Sequence, residues 1–458
     1  MPLQLSDFKS WFDSHREEVL RDFFKFLSFR SISTDPQFSK ETHETAVWVS
    51  DYLTHIGMKS SLHETSGKPV VFATHLNAGP SRPTILIYQH YDVQPVDPLN
   101  LWHNDPFKPI VKNNTVYARG AVDNKGQCFY SISAVRAFLE LAKQANINLK
   151  LFIEGEEECG SKGTTAFLAE KKIDLKADHL LVIDFDMARA GVPGITLGMR
   201  GLASCSVIFS NAVTDLHSGI HGGIALNPNR ALVCALARLW DEKGRVQVPG
   251  FYDGVKPFSK ADLAKLDMSF NADEYTHKFG VRAFGAEDGY SPVESNWLRP
   301  VLEINGLSGG YAGAGVKTVI PAKAEVKISC RLVGEQDPEK ITKSVVEFLK
   351  LHAPKGMQVH AEIYDGARAF QASLNAPVIK VVSQALGEVF SESCKFQFCG
   401  ASVPIVPALV AASSADAALF GMGLADDNIH APNEHFGLDR FEQGFLTVSR
   451  ILSLFSNS

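Results

Sequence analysis

The sequence predicts an α/β protein, a mostly parallel, helix-covered sheet into which a smaller α+β domain is inserted. Three observations carry that reading. The chain has 458 residues, too many for one compact core, so two domains are the default expectation. Between Thr84 and Ile183, apolar strand-like runs alternate with stretches of helical periodicity, the pattern of strands joined through helices. After about Gly198 the strands instead alternate polar and apolar residues, and from about Asn375 the first texture returns.

The elements follow in order. Phe8, Trp11, Phe12, Val19, Phe23 and Phe26 recur at helical spacing and predict N-terminal helices over residues 5–30. Thr84–Tyr88 (TILIY) reads as a buried strand. Gly126–Lys143 reads as a helix with Ile132, Val135, Phe138, Leu139 and Ala142 on one face. Leu149–Ile153 is the next strand, Thr164–Lys172 a short helix, and His179–Ile183 a third strand. In the second region Ser204–Phe209 and Ala324–Leu332 alternate as strands, Asn229–Leu239 is helical, and Glu339–Leu351 is an amphipathic helix. The expected division is residues 1–199 and 371–458 for the larger domain and 200–370 for the inserted one.

Composition narrows the function classes. Hydrophobic residues make up 45% of the chain and charged ones 21%, ordinary for a globular protein. A formal net charge of -6 is too mild to argue for nucleic acid or an anionic membrane as partner. The N-terminal MPLQLSDFKSWFDSHREEVL mixes acids and bases with no apolar core, so no secretory signal is expected. No uncharged apolar stretch reaches the length of a membrane span. Seven cysteines, scattered and without a CxxC pair, suit a reducing compartment. A cytoplasmic location is the expectation.

The polar residues fall in a pattern. The first strand runs into Gln89-His90-Tyr91-Asp92, the second into EGEEECGS at 154–161, and the third into Asp184-Phe185-Asp186. Asp123, in RGAVDNKGQ, immediately precedes the predicted helix. In open α/β sheets the ligand crevice lies outside the carboxyl ends of the strands, so these side chains converge there. Carboxylates crowded together cannot all ionise unless positive charge sits among them, and Lys125 and Lys162 are too few. A pair of divalent cations answers the need. Imidazole and carboxylate without clustered thiolates suit Zn²⁺ or Mn²⁺. Two such ions polarise a carbonyl and acidify a water, and a carboxylate that binds neither must accept the proton. Consecutive glutamates in an extended loop can divide those tasks, because their side chains point opposite ways.

Together, YQHYDVQPVDPLNLWHNDPF, RGAVDNKGQ, EGEEECGS, DLHSGIHGG, PGFYDGV, KTVIPAKAEVKISCRLV and HAPNEH form a specific set. With them the chain resembles, over nearly its whole length, a family of dinuclear-metal peptidases. That family includes cytosolic nonspecific dipeptidase, carnosine dipeptidase, glutamate carboxypeptidase and succinyl-diaminopimelate desuccinylase, and the dipeptidase branch is the nearest match. The resemblance implies a zinc-peptidase-like catalytic domain with an inserted lid or dimerisation domain. It implies His90 and Asp184 as ligands of one metal, Glu158 and His430 of the other, and Asp123 as the bridge. Asp186 is the alternative to Asp184. Glu157 matches the general base, and Asp92 the residue that orients His90. His217, in DLHSGIHGG, matches a histidine that reaches into the partner subunit's site and stabilises the oxyanion. Thr318, Arg331 and Ser402 fall on substrate-contacting positions, and Arg331 suits a free carboxylate. The loop Cys399-Gly400-Ala401-Ser402 departs from the family's Gly-Gly-Ser, with Ala401 in place of a glycine, which would narrow the pocket if that position needs a positive φ.

The implied protein is a homodimeric two-metal hydrolase of dipeptides or small peptides with a free C-terminal carboxylate. Its ions are Zn²⁺, with Mn²⁺ or Co²⁺ as other candidates. An N-acyl amino acid deacylase is the alternative, and a non-catalytic relative the different-class rival. GGYAGAGVKT at 309–318 nearly spells a phosphate loop, but Val316 stands where glycine is needed and strand-like sequence follows. His217 and His221 stand four apart, yet Gly219, Gly222 and Gly223 make a helix there unexpected. Residues 240–300 read as packing and solvated surface.

Overall fold

A computed structural model describes residues 3–142, 144–170 and 173–457. The chain divides into two compact units. One comprises residues up to 197 with 372–397 and 405–458; the other comprises 198–371 with 398–404.

In the first unit the expected strands form, two of them slightly longer than their apolar runs and His179–Ile183 with the expected bounds. Thr84–His90 pairs in parallel with both Asn148–Glu154 and His179–Ile183, and Asp416–Phe420 continues the parallel set beside His179–Ile183. The parallel character is confined to this centre. Val70–His75 flanks it antiparallel on Asn148–Glu154, Lys59–His63 pairs antiparallel outside that, and Gly194–Met199 lies antiparallel to Asp416–Phe420. The sheet is therefore mixed. Every residue of Asn148–Glu154 is buried, so both faces are covered, which is why its sequence reads as a continuous apolar run instead of alternating.

Residues 5–30 yield one long helix, Leu5–Leu27, whose buried face is Phe8, Trp11, Phe12, Val19, Phe23, Phe26 and Leu27. It packs with Lys125–Leu141 and the C-terminal helix Leu438–Ser456. Phe441 is fully buried at their junction, with ring centroids 4.9 Å from Phe23, 6.0 Å from Tyr130 and 6.4 Å from both Phe12 and Phe436. The other short helix is Lys162–Ala169. The predicted helix ends at Lys143 and Lys172 lie outside the described residues.

The second unit is an antiparallel sheet in the order Val301–Gly309, Lys323–Leu332, Gly201–Ser210, Gln358–Ala367. Alternate residues of Lys323–Leu332 are buried, and Ala324, Val326, Ile328, Cys330 and Leu332 share a core with the helices Pro228–Leu236 and Pro338–Leu351. The latter helix starts where Asp337 accepts the N–H groups of Glu339 and Lys340 and Pro338 fills the first turn, an N-terminus written plainly in the sequence. Among the described residues no helix is long and apolar enough to cross a membrane.

Phe441→Ala is expected to destabilise the first unit by about 3–5 kcal/mol, the usual effect of deleting a fully buried ring. Urea unfolding checks it, and a loss under about 1 kcal/mol would show that the ring cluster does not anchor these helices.

Candidate metal centre

The carboxyl ends of the parallel strands deliver side chains to one place. His90 is the last residue of its strand and fully buried. Its Nδ1 lies 3.2 Å from Asp92 Oδ1, and its Nε2 lies 3.3 Å from Asp123 Oδ1 and 3.6 Å from Asp184 Oδ1. Asp184 directly follows the strand His179–Ile183 and accepts a 2.6 Å hydrogen bond from Asn124 Nδ2. Asp123 precedes the helix Lys125–Leu141, and the peptide after it is cis. His430 comes from the loop beyond Asp416–Phe420; its Nε2 lies 2.9 Å from Asp123 Oδ2 and 3.2 Å from Glu158 Oε2.

Two ligand-like groups result, His90–Asp123–Asp184 and Asp123–Glu158–His430, and Asp123 belongs to both. Asp186 enters neither, and its side chain is exposed.

EGEEECGS turns two of its four glutamates toward the centre and two toward the backbone and side chains around it. Glu154 is fully buried, accepts the Tyr88 hydroxyl at 2.6 Å, and is pushed up to about 7 chiefly by burial. Glu156 accepts the backbone N–H groups of Lys68 (2.8 Å) and Thr164 (3.0 Å), fastening the loop from behind. Glu157 and Glu158 face the centre, but not through the extended backbone expected for them. Residues 157–159 form a single 3₁₀ turn, because Asp92 accepts both their N–H groups, Glu157 at 3.3 Å and Glu158 at 3.1 Å. Asp92 thus touches His90 and both glutamates. Gly155 is required by space: a Cβ there would lie 2.1 Å from the Tyr91 hydroxyl, which donates to the Pro69 carbonyl at 2.7 Å.

The electrostatics follow from the crowding. Burial raises Glu157 well above the carboxylate range; His90 opposes this, while the charges of Asp184, Glu158 and Asp123 add to it. Glu158 is pushed up to about 7, by burial first and then by Asp123. Burial also resists ionisation of Asp123, yet the hydrogen bond from His430 and the His90 imidazole beside it hold it well below its usual range. His430 is raised to about 10 by its bonds to Asp123 and Glu158. These shifts describe a cluster that draws positive charge. Lys125 does not supply it: its ammonium is directed to the Phe29 carbonyl at 2.6 Å, and burial lowers it to about 7. His90 Nε2 and Glu158 Oε1 are buried without a hydrogen-bond partner, one in each group. Unpaired imidazole nitrogen and carboxylate oxygen around a shared aspartate fit divalent cations.

The remaining predicted residues lie in the second unit. Contrary to expectation, Ser218–His221 forms one helical turn, which His217 caps by accepting the Gly219 N–H on Nδ1 at 3.0 Å. The strand pair Leu216–His217 with Val319–Ile320 sets His217 beside Thr318, whose carbonyl accepts the Ser218 N–H. Arg331 donates to Ser402 Oγ at 2.9 Å. Arg200, which sequence reading overlooked, holds the same loop by Nε to the Gly400 carbonyl (2.8 Å) and N to the Ala401 carbonyl (3.1 Å). Ala401 is exposed and outside the positive-φ region, so alanine is accommodated there without backbone strain.

A helix-flanked mixed sheet carrying an imidazole–carboxylate centre at its strand ends is the make-up of a metal-dependent hydrolase, a metallopeptidase. Residues 86–454 match Peptidase family M20/M25/M40, and the chain belongs to that family. The Cys-Gly metallodipeptidase of Schizosaccharomyces pombe is 28% identical over 465 residues, covering 97% of this chain and 97% of that protein. The Beta-Ala-His dipeptidase of Homo sapiens is 28% identical over 464 residues, covering 97% of this chain and 91% of that one. The crystal structure of an M20 family metallo-carboxypeptidase from Sulfolobus solfataricus is similar with a TM-score of 0.83 and 28% identity, over 96% of this chain and all (100%) of that one. The chain falls in the family's dipeptidase branch and uses divalent metal.

Gly155→Ala is expected to displace Tyr91, break its bond to Pro69 and cost about 1–3 kcal/mol, as overpacking does. Thermal unfolding reads the loss, and an unchanged midpoint would mean that the loop tolerates a Cβ.

Proposed function

We propose that the protein hydrolyses the peptide bond of dipeptides, or of other small peptides with a free C-terminal carboxylate, with two divalent cations bound per subunit. The observation that carries this is the pair of ligand groups sharing Asp123. The similarity to a Cys-Gly metallodipeptidase and a Beta-Ala-His dipeptidase supports the substrate class. His90 and Asp184 would hold one cation and Glu158 and His430 the other, with Asp123 belonging to both groups. Zn²⁺ suits this donor set best, with Mn²⁺ and Co²⁺ as substitutes. When bound, the ions supply polarisation of the scissile carbonyl and acidification of water.

The chain's own residues do the rest. Asp92 holds the His90 ring so that Nε2 faces Asp123 and Asp184. Glu157 belongs to neither ligand group, so its carboxylate is free to take the proton of the attacking water. As the C–N bond breaks, it returns that proton to the leaving amine. His217 accepts a backbone N–H on Nδ1, so the neutral ring carries its proton on Nε2 and donates it toward an oxyanion. It does so in the partner subunit's site, the protein being a homodimer joined through residues 200–370. The strand Gln358–Ala367 forms one edge of its sheet with Ile363 and Tyr364 exposed, an edge able to accept a second copy. Arg331 and Ser402, with Thr318, bind the substrate; the guanidinium fork suits its terminal carboxylate.

Glu157→Ala is expected to keep its metal content yet lose at least ~100-fold in turnover on a dipeptide panel, the usual effect of removing a general base. Unchanged turnover would take Glu157 out of the mechanism. Mixing Glu157→Ala with His217→Ala subunits should restore partial activity, since one hybrid site is complete. No recovery in verified heterodimers would place His217 in its own subunit's site or outside the reaction.

A further inference from the structure

The glutamate of HAPNEH has no role in the reading above, yet its carboxylate accepts four hydrogen bonds. Glu434 is fully buried. Its Oε2 accepts Arg119 Nη1 and Gly120 N, both at 2.8 Å; its Oε1 accepts Val122 N at 3.0 Å and Asp123 N at 3.1 Å. All four acceptor sites are filled, so Glu434 has none to offer a cation. It stands four residues after His430 on the same loop, and one of its donors is the backbone of Asp123 itself.

That loop needs holding. Asn428, His430 and Asn433 all have left-handed backbones, with φ of 58°, 60° and 65°, a region that asparagine and histidine enter more readily than most residues but that still favours support from neighbouring contacts. Other ties are present: Asp427 grips Arg440 through two bonds at 2.5 and 2.6 Å, and Asn433 accepts His103 N at 2.8 Å. Neither of those ties ends on a segment that carries another ligand of the centre, and the strand pairing of His435–Gly437 with Thr115–Tyr117 stops short of Asp123. The Glu434 side chain reaches the Asp123 backbone itself.

We infer that Glu434 is a positioning residue that joins the Asp123 turn to the His430 loop and so sets the affinity of the cation shared by Asp123, Glu158 and His430. The inference rests on the two-cation reading. A carboxylate is needed because four donors converge; the amide of glutamine offers one acceptor oxygen and turns an NH₂ group on the remaining N–H groups. Arg119, buried and also bonded to the Pro95 carbonyl at 2.9 Å, supplies the compensating charge.

The test is a Zn²⁺ titration of metal-free protein against a chromophoric chelator, on wild type, Glu434→Gln and Glu434→Asp, with folding checked by circular dichroism. Wild type should bind two ions. Glu434→Gln should lose about 10–100-fold in affinity at one site and little at the other, as removal of a supporting partner does. Its turnover should recover as Zn²⁺ is raised, which a purely structural defect would not allow. Glu434→Asp keeps the charge with a shorter reach and should fall between, and it decides the matter if the Gln variant does not fold. Two wild-type ions with unchanged or equally weakened affinities in the folded variant would overturn the inference alone. A wild type that binds only one ion would overturn the two-cation reading and this inference with it.

Discussion

Buried carboxylates cannot share a small volume without positive charge among them, and the first unit is organised around that constraint. Asp123 lies within 3.3 Å of His90 and 2.9 Å of His430, while Asp184 and Glu158 close the two sides. Each of these groups comes from a different strand end or loop. The parallel strands bring them together because their carboxyl ends all open on one edge of the sheet. The shifts of Glu157, Glu158 and His430 are the electrostatic record of the same crowding.

A centre of this kind needs a second layer that prevents the acids from relaxing apart. Asp92 meets His90 on one side and two glutamate N–H groups on the other, so the ring and the 157–159 turn share one anchor. Glu154 and Glu156 anchor the same loop through Tyr88, Lys68 and Thr164. Glu434 does for the 119–123 turn what Asp92 does for the glutamates. Acidic residues are thus used twice, some as donors to the centre and some as acceptors for the backbone that presents them. The second use is favoured because an ionised carboxylate binds several N–H groups more strongly than a neutral side chain does.

In the second unit, His217 and the loop around Ser402 are held by short-range ties on an antiparallel scaffold. Capping by His217 Nδ1 leaves the other ring nitrogen as the donor. Arg200 and Arg331 both fasten the loop around Ser402, and neither forms an ion pair among the described residues. Burial with Arg331 nearby lowers Arg200 to about 10, as expected for a desolvated cation that lacks a carboxylate.

How much was legible varied with the kind of signal. Thr84–Tyr88, Leu149–Ile153 and His179–Ile183 were readable because strands covered on both faces carry unbroken apolar runs, and the helices because their buried faces repeat every three to four residues. The gathering of acids at strand ends was readable for the same reason, since topology follows from those runs. Asp184 and Asp186 stand two residues apart, and only the family resemblance favoured the first; in the fold the path after Ile183 brings Asp184 near His90 and leaves Asp186 exposed. Glu154, Glu156 and Glu434 were invisible as supports, because a carboxylate among polar neighbours looks solvated until its backbone partners are located. By itself, then, the sequence determined which elements form and which residue types meet at the strand ends, since these depend on local pattern and hydrophobic burial. Only the tertiary structure showed which acids lie together at the strand ends and which accept backbone N–H groups, because that depends on contacts between segments tens to hundreds of residues apart.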